Sequence, residues 1–306
     1  MKLYNQTEYY CWACDYARTS GEGNLARLFI KKNYELNNTI IFTANKIFKN
    51  KILGKVFSHK YVSPIIGIIF CWSFFLLKKK IIYINYLPLW NFFLFIFLPP
   101  KTILGPITGG ANYNYNKQFI VRHIIFPYLY KISEFFLNLR ETKKIFSTDL
   151  LKKYLSKNTV NKSSFNYVFN FYNPKIKKQK DIDFLIYYRQ HSNKENFFPF
   201  KLIKKLISLN FKIHIVGNYL PNTSVVNHGF INNNKINDLL ARTYFTISSN
   251  ENIYGIFAME CFNNHVKIIV QKFKESSTIY FKDKFFFINF NSIYSLKNLK
   301  IYKEKI

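Results

Sequence analysis

The second half of the chain alternates short apolar runs with segments whose apolar residues recur at helical spacing, and this alternation limits the folds available to it. Short apolar runs between turns are typical of buried strands, and the helical spacing is typical of amphipathic helices. The predicted strands are 183–188, 211–217, 244–249, 266–270 and 285–290, and the predicted helices are 199–210, 236–242 and 254–264. Strands that alternate with helices of this length predict a parallel, doubly wound α/β sheet.

A short linker divides the chain into two predicted domains. Residues 172–183 read YNPKIKKQKDID, a basic stretch that contains a proline and has little apolar content. The 306 residues are enough to bury two separate cores. We therefore predict an N-terminal domain at 1–178 and a C-terminal domain at 179–306. In the N-terminal domain, residues 11–17 read as a strand that leads through a loop into an amphipathic helix.

The charge balance favours anionic partners. The chain carries 45 Lys and Arg against 16 Asp and Glu, a formal net charge of +29. Such an excess suits nucleic acid, phosphorylated ligands or an anionic membrane surface. Because Lys, Asn, Ile, Phe and Tyr are all abundant, a bias toward AT-rich codons is an alternative explanation. The sequence shows neither zinc-finger spacing nor an RNA-recognition signature, so no nucleic-acid partner is predicted.

The four cysteines predict neither a redox centre nor a metal site. Cys11 and Cys14 have the spacing of a redox pair, but a loop follows them where a thioredoxin-type pair opens directly into a helix. Cys71 and Cys261 lie alone in the sequence, so no second pair completes a zinc site. We expect four reduced, structural cysteines in a cytoplasmic protein.

Two apolar segments, 61–77 and 81–100, approach the length that spans a bilayer. Pro64, Asn85 and Pro88 are among the residues that interrupt them, and three lysines separate them. Buried elements of an α/β domain have the same apolarity. We predict buried or membrane-surface elements and a peripheral protein that salt or carbonate releases; the alternative is a hairpin through the membrane. The polar first residues do not resemble a signal peptide.

Two glycine-bearing loops follow strand-like residues in the first half of the chain. One is SGEG at 20–23, and the other is GPITGG at 105–110. A loop that feeds a helix N-terminus can bind an anion, and the alternative is an ordinary βα loop with glycine in its turn. Two such loops predict a ligand at the crevice edge of the sheet. The candidate residues of the two loops are Ser20, Gly21, Gly23, Thr108, Gly109 and Gly110.

The second half supplies charged groups that match a nucleotide sugar. Arg189 and Lys194 follow the strand 183–188, and two cations there can hold a diphosphate. In ISSNENIYGIFAMEC, Glu251 and Glu260 bracket a strand-to-helix turn whose backbone amides, at Tyr254, Gly255 and Ile256, can cap an anion. Carboxylates repel phosphate but accept hydrogen bonds from vicinal hydroxyls. The combination predicts cations and amides for a diphosphate and carboxylates for the diols of ribose and sugar.

These residues resemble the retaining glycosyltransferases of family 4, which have the GT-B fold. The matching motifs are Arg189 with Lys194, the strand end IVGN at 215–218 with Gly217, the segment VVNHGFI at 225–231, and a Glu-x7-Glu motif. Glu260 matches the second glutamate of that motif. Strict spacing places Asn252 at the first position, and Glu251 stands one residue earlier. The likeness covers most of 183–270 and only isolated points before it.

The resemblance implies an α/β protein of two Rossmann-like domains facing across a cleft, with the acceptor on the N-terminal domain and the nucleotide sugar on the C-terminal one. Glu260 would hold the ribose, and Glu251 or Asn252 would face the transferred sugar. An N-domain histidine, His59 or His123, would line that sugar. The donor would be a UDP-, GDP- or other nucleotide sugar, with no cofactor and no metal requirement.

The acceptor implied by this interpretation is a lipid-linked glycan, a lipopolysaccharide or another polysaccharide of the cell envelope. The basic, aromatic-rich N-terminal domain would lie against anionic headgroups on the inner face of the plasma membrane. The alternative is a membrane-associated binding protein whose nucleotide-binding domain is not catalytic. Turnover of a nucleotide sugar distinguishes the two.

Overall fold

The computed structural model describes residues 8–17, 20–34, 38–48, 51–59, 61–109, 121–188, 200–221, 224–248, 253–272 and 281–304. The chain forms two compact units, residues 1–168 and 169–306. The second unit begins earlier than the predicted boundary because the Phe169 ring packs against the rings of Tyr254 and Phe262, with centroids 5.5 Å away in each case. The different roles predicted for the two domains stay predictions.

The first unit is built on a parallel sheet. Its elements are β1 (Tyr9–Ala13), α1 (Gly21–Asn33), β2 (Thr39–Phe42), α2 (Ala44–Ile47), α3 (Lys51–Phe57), α4 (Ser63–Leu76), β3 (Lys80–Ile84), α5 (Phe92–Phe97), β4 (Ile103–Leu104), a π-helix (Val121–Ile125), α6 (Phe126–Asn138), β5 (Lys144–Ile145), a 3-10 helix (Asp149–Tyr154), α7 (Lys157–Asn161) and β6 (Ser163–Ser164). Four strands form a sheet in the order β2-β1-β3-β4, and β5 pairs separately with β6. Trp12, Tyr83 and Phe95 are fully buried in its core.

The strand predicted at 11–17 is confirmed as a strand but ends earlier. It covers Tyr9–Ala13, so its carboxyl end lies four residues before the predicted one. The backbone amide of Ala17 donates to the Asp15 carboxylate at 2.8 Å, a local bond that turns the chain away from the sheet. The loop between β1 and α1 is therefore longer than the sequence suggests.

The two apolar segments belong to the first unit. The segment 61–77 contains α4, whereas 81–100 begins inside β3, which pairs with β1 and β4, and continues into α5. Among the described residues no helix combines the length and the apolarity needed to cross a bilayer. The second segment is thus a buried strand followed by a short helix.

The second unit is a doubly wound α/β unit, as predicted. Its elements are a 3-10 helix at the boundary (Tyr167–Phe171), β7 (Ile182–Tyr188), α8 (Phe200–Ser208), β8 (Ile213–Gly217), β9 (Val226–Asn227), α9 (Asn233–Ala241), β10 (Thr243–Ile247), α10 (Ile256–Asn263), β11 (Lys267–Gln271), a 3-10 helix (Lys282–Lys284), β12 (Phe285–Ile288) and α11 (Ile293–Glu304). All pairings in this sheet are parallel, in the order β12-β11-β10-β7-β8-β9. Parallel α/β units in both halves confirm the predicted fold class.

The strands of the second unit form because both faces of the sheet are covered. Ile182–Tyr188 is almost wholly buried, which explains its continuous apolar run. Phe184, Ile215 and Phe245 lie on adjacent strands and pack with Leu206 of α8 in one core. The short strand β9 and the helix α11 were not predicted from the sequence.

Gly217 closes β8 in a conformation that requires glycine. Its φ is +103°, and a Cβ built there would lie 2.1 Å from the carbonyl oxygen of Tyr188. The next amide, of Asn218, donates to that same oxygen at 2.8 Å. The absence of a side chain therefore lets the ends of β7 and β8 meet.

We expect Gly217→Ala to lower the free energy of unfolding by about 2 kcal/mol or more, because the alanine would adopt a left-handed backbone and clash with Tyr188. Gly21→Ala is the matched control, since nothing lies within 4 Å of a Cβ at Gly21. That control should change stability by less than about 0.5 kcal/mol. Urea unfolding of both variants checks this, and equal losses would contradict it.

Candidate functional site

The second unit has a switch point between β7 and β10. After β7, the strands β8 and β9 are added next to one edge of β7. The chain then returns, and β10 pairs with the opposite edge of β7. Helices that leave neighbouring strands on opposite sides open a crevice at the carboxyl edge of the sheet, where ligands of such folds bind. Tyr188 and Ile247 end the two strands that flank this crevice. The switch point is the candidate nucleotide site.

The sequence places four predicted site residues directly after the strands that flank the switch point. Arg189 and Lys194 follow β7, and Glu251 and Asn252 follow β10. All four lie outside the described residues. Their assignment to diphosphate and transferred sugar stays a prediction.

The N-terminus of α10 faces the same edge of the sheet. Gly255 is its N-cap, and no described side chain caps the helix. The first amides of any helix have no partner within the helix, and the helix dipole adds partial positive charge there. The predicted contribution of the Gly255 and Ile256 amides is therefore compatible with the backbone. Tyr254 can offer only its backbone, because its ring is buried against Phe169 and Phe285.

Glu260 is a half-buried carboxylate on α10. Among the described residues no hydrogen-bond or ion-pair partner is found for its side chain. Burial raises the pKa of Glu260, and the positive charge of Lys175 opposes that shift. Desolvating a carboxylate without giving it a hydrogen-bond donor costs stability. The arrangement leaves the carboxylate available to the hydroxyl groups of a ligand.

The first unit has its own switch point, between β1 and β3, and a cavity of about 480 Å³ lies there. The cavity is lined by residues from the loops that follow β1, β2 and β3, together with residues of the helices α1 and α2. The polar and aromatic groups that line it include Asp15, Tyr16, Arg27, Asn45, Lys46 and Tyr86. These residues were not predicted from the sequence, because they share no motif and meet only through the strand order.

The end of β3 beside this cavity is strained. Asn85 and Tyr86 both adopt positive φ, 72° and 49°, although neither is a glycine. The buried Asn85 amide holds this conformation by donating to the carbonyl oxygen of Glu22 at 2.7 Å. Burial, with Asp15 and Glu22 nearby, raises the pKa of Tyr86 to about 12, so its hydroxyl stays protonated and can donate a hydrogen bond. Strained non-glycine residues of this kind occur preferentially at functional sites.

The cations of the cavity already have partners. The Arg27 guanidinium lies 4.2 Å from the centre of the Tyr16 ring and donates to the carbonyl oxygen of Tyr16. Lys46 donates to the carbonyl oxygen of Ile41 at 3.2 Å. With the Asp15 carboxylate beside them, these groups give a mixed set of donors and acceptors. Such a lining suits a ligand rich in hydroxyl groups better than a polyanion.

The predicted loop at 20–23 is the N-cap and the first turn of α1. The Ser20 hydroxyl accepts from the Gly23 amide at 2.8 Å and so caps α1, while Glu22 places a carboxylate in the first turn. A Cβ on Gly23 would lie 2.1 Å from the carbonyl oxygen of Ala17, so this glycine is required for packing. Gly21 has open space around it. The cap and the carboxylate disfavour the anion site considered from the sequence.

The loop at 105–110 is held by backbone pairing. The Thr108 amide donates to the carbonyl oxygen of Leu87 at 2.9 Å, and the Leu89 amide donates to that of Thr108 at 2.7 Å. Gly109 packs against Leu151, and Gly110 lies outside the described residues. Thr108 and Gly109 do not line the cavity.

Of the two predicted histidines, only His59 has a described side chain, and it does not line the cavity. His59 is exposed, and its ring centroid lies 5.4 Å from that of Tyr61, although the preceding Ser58 does line the cavity. The backbone of His123 belongs to the π-helix, and its side chain lies outside the described residues. A role for either at the transferred sugar stays a prediction.

The four cysteines are buried free thiols, as expected. Cys14 donates through Sγ to the hydroxyl of Tyr83 at 3.2 Å, and burial raises its pKa to about 11. Burial also raises the pKa of Cys11. Thiols held protonated in this way are poor redox groups. In the part of the chain that the structure describes, no cluster of three His, Cys, Asp or Glu side chains can hold a metal ion.

Comparison with known proteins gives only distant structural likenesses. No protein-family model and no curated protein sequence matches the chain. It is similar to a structure described as a UDP-N-acetylglucosamine 2-epimerase from Listeria monocytogenes, with 8% identity, 97% of this chain and 89% of that chain covered, and a TM-score of 0.49. It is also similar to an alpha-glucosyltransferase in complex with UDP and DNA, with 9% identity, 97% of this chain and 91% of that chain covered, and a TM-score of 0.43.

A third similar structure is the glycosyltransferase TibC from enterotoxigenic E. coli. It shares 9% identity, with 94% of this chain and 64% of that chain covered, and a TM-score of 0.30. At TM-scores below 0.5 these likenesses carry no inference about activity. The function proposed below rests on the residues of this chain.

We expect Glu260→Gln to raise the melting temperature of the free protein at pH 7 to 8. The pKa of Glu260 is higher in the folded protein than in the unfolded chain. The folded protein is therefore most stable when Glu260 is neutral, below the ordinary pKa of glutamate, and it loses stability as the pH rises through the pKa of the folded state. The gain should therefore disappear below about pH 4, where the glutamate is protonated in both states. Melting curves across this range measure it.

Glu134→Gln is the matched control, because Glu134 is a carboxylate with a structural role. The buried Glu134 accepts from the amide and the hydroxyl of Ser156 at 2.8 and 2.7 Å. Its replacement should lower the free energy of unfolding by about 1 to 3 kcal/mol. If Glu260→Gln is destabilising at pH 7 to the same extent, Glu260 has a structural role and is not available to a ligand.

Proposed function

We propose that the protein is a retaining glycosyltransferase that moves a sugar from a nucleotide diphosphate sugar to a lipid-linked, lipopolysaccharide or polysaccharide acceptor. The observation that carries the proposal is the switch point between β7 and β10, followed by the helix α10. No described side chain caps the N-terminus of this helix, and the described residues supply no hydrogen-bond donor to the carboxylate of Glu260 on it. The motif residues Arg189, Lys194 and Glu251 follow these same two strands in the sequence.

On the donor side, each chemical group of a nucleotide sugar has a proposed partner. Glu260 accepts hydrogen bonds from the ribose hydroxyls, and the Ile256 amide with Arg189 and Lys194 holds the diphosphate. These cations neutralise the charge that develops on the diphosphate as its bond to the anomeric carbon breaks. Because the chain supplies this charge itself, the proposal needs no metal ion. Glu251 or Asn252 then faces the sugar.

On the acceptor side, the proposal assigns the cavity of the first unit. Its lining of Asp15, Asn45 and the protonated hydroxyl of Tyr86 offers both acceptors and donors to an acceptor hydroxyl group. In the transfer, the acceptor oxygen forms a bond to the anomeric carbon while the bond from that carbon to the diphosphate breaks. The nucleoside diphosphate leaves with the electron pair of that bond and takes up the proton of the acceptor hydroxyl group. Retention of the anomeric configuration is what the motif resemblance implies.

The proposed place of action is the inner face of the plasma membrane, with the chain attached peripherally to anionic lipid. The net charge of +29 supports attraction to such a surface, each basic residue near it contributing roughly 1 kcal/mol. A lipid-linked or lipopolysaccharide acceptor of cell-envelope synthesis would be available there.

The proposal is tested by thermal denaturation with a panel of nucleotide sugars, followed by incubation of the stabilising donor with lipid-linked acceptors. We expect one donor class to raise the melting temperature and the product to keep the anomeric configuration of the donor, as measured by NMR. A donor that binds but is epimerised or never consumed would contradict transfer.

We expect Arg189→Ala to weaken binding of the nucleoside diphosphate by roughly 1.5 to 3 kcal/mol, the range for a charge-assisted hydrogen bond. Binding of the nucleoside should hardly change, because it carries no phosphate. Arg242→Ala is the matched control: Arg242 lies before β10, at the opposite edge of the sheet, and bonds to Asp181. Calorimetry that shows equal losses for nucleoside and diphosphate would overturn the role of Arg189.

The two candidates for the first motif position are separated by kinetics. We expect Glu251→Gln to reduce the rate of transfer while leaving donor affinity unchanged, because the residue would face the sugar and not the nucleotide. If the only role of Glu251 were a favourable interaction with the dipole of α10, it would contribute roughly 0.3 to 1 kcal/mol of stability, and the variant would keep its turnover. Unchanged turnover would transfer the role to Asn252.

A further inference from the structure

Three helices of the first unit expose large apolar side chains on their outer surfaces. Leu76 of α4 is 75% exposed, and Tyr128 of α6 is 69% exposed. We call the outer surfaces of α4, α5 and α6 the apolar face. The residues that define it are Ile69, Leu76, Phe93, Phe97, Tyr128 and Phe135.

The exposed residues recur at helical spacing, so each helix presents a whole apolar stripe to the outside. On α4 the exposed apolar side chains are those of Ile65, Ile69, Trp72 and Leu76, while Phe70 is buried on the inner side. Ser73 is also exposed, and its hydroxyl donates to the carbonyl oxygen of Ile69 at 3.0 Å. A surface helix of a globular protein normally carries polar residues on its outer stripe, and a helix that is apolar all round is normally covered on all sides. The apolar face thus lacks the polar outer stripe of an ordinary surface helix.

Contacts between the helices place α4 beside α5 and α5 beside α6. The Trp72 indole N–H donates to the carbonyl oxygen of Phe97 at 2.6 Å, which joins α4 to α5. The rings of Phe93 and Phe97 lie nearly parallel, with centroids 6.3 Å apart. Trp90 stacks on Phe126 at 5.6 Å and joins the start of α5 to the start of α6. An apolar patch of this extent marks an interaction surface.

The charges beside the face are predominantly basic, and Glu141, which follows α6, is an exposed acid. No Asp or Glu occurs between Glu35 and Glu134, a stretch that contains all of α4 and α5 and eleven lysines. Lys78 follows α4, Lys101 follows α5, and Lys131 lies within the exposed stripe of α6; all three are exposed. Glu134 is buried and bonded to Ser156, so it does not offset them.

We propose that the apolar face inserts into an anionic lipid bilayer. A basic rim around apolar and aromatic side chains matches a negatively charged headgroup layer above hydrocarbon, and Trp and Tyr favour that boundary. A second copy of the chain is the competing occupant, but it would bring another +29 charge and another lysine rim against the first. Charge complementarity therefore selects the bilayer.

Insertion changes the expected effect of salt. Attachment by charge alone, as predicted from the sequence, is released by salt because surface electrostatics are screened. Burial of apolar side chains is not screened in this way, so a salt-resistant part of the binding should remain. Binding of interfacial elements depends on both contributions, apolar area and attraction to anionic lipid.

The test is sedimentation of the full chain with vesicles of phosphatidylcholine and phosphatidylglycerol at 7:3, and with phosphatidylcholine alone. We expect the double variant Phe93→Ser/Phe97→Ser to bind the anionic vesicles at least about tenfold more weakly than the wild type does. We also expect a salt-resistant fraction of the binding in the wild type only. Ile293→Ser/Ile301→Ser is the matched control, since these residues of α11 in the second unit are exposed to a similar extent. It should bind like the wild type.

Two outcomes would overturn the proposal. One is equal vesicle binding by the wild type and the Phe93/Phe97 double variant. The other is a wild-type dimer in sedimentation equilibrium that this double variant converts to a monomer, without vesicle binding by either. The melting-temperature shift caused by a nucleotide is measured on the same variants. Because membrane insertion does not require that a donor bind, this measurement distinguishes a failure of insertion from a failure of the proposed transfer function.

Discussion

The pairing of β7 with two neighbours is the interaction on which the second unit depends. Phe184 of β7 lies opposite Ile213 of β8 on one side and Phe245 of β10 on the other, all in parallel register. Because both neighbours are parallel, the carboxyl ends of all three strands meet at one edge of the sheet. The reversal of strand order between β7 and β10 then opens a crevice at that edge, which the N-terminus of α10 faces, and Glu260 lies further along the same helix. A shift of β10 to the other side of the sheet would remove this site.

The sequence predicts the fold of the second unit well because its signals are local. Continuous apolar runs such as 182–188 identify strands buried on both faces, and helical spacing identifies α8. The short β9 was missed because its two residues carry no periodicity. Apolarity alone does not distinguish a buried strand from a membrane span, and the prediction that 81–100 is buried depended on the Pro and Asn residues that interrupt it. Its division into β3 and α5 depends on pairing with β1 and β4, which are distant in sequence.

The residues of the candidate sites also divide into those that local sequence signals predict and those that only the tertiary fold brings together. A motif predicts Glu260 on a helix after a strand, and its position on α10 is as predicted, whereas its role at a ligand stays a prediction. The loop at 20–23 has the signal of an anion site, yet the Ser20 cap and Glu22 disfavour one. Asp15 and Tyr86 were missed, since only the order β2-β1-β3-β4 brings their loops to one cavity. The strained φ values beside it follow from tertiary hydrogen bonds, which a single sequence does not reveal.

The central claim is that a nucleotide sugar binds at the switch point between β7 and β10. Hydrogen–deuterium exchange with and without UDP, GDP and other nucleoside diphosphates tests it most directly, because it reports which backbone amides a ligand protects. The account predicts protection of the segments that follow Tyr188 and Ile247 and of the first turn of α10. Protection confined to the cavity of the first unit, or no protection by any nucleotide of the panel, would contradict it.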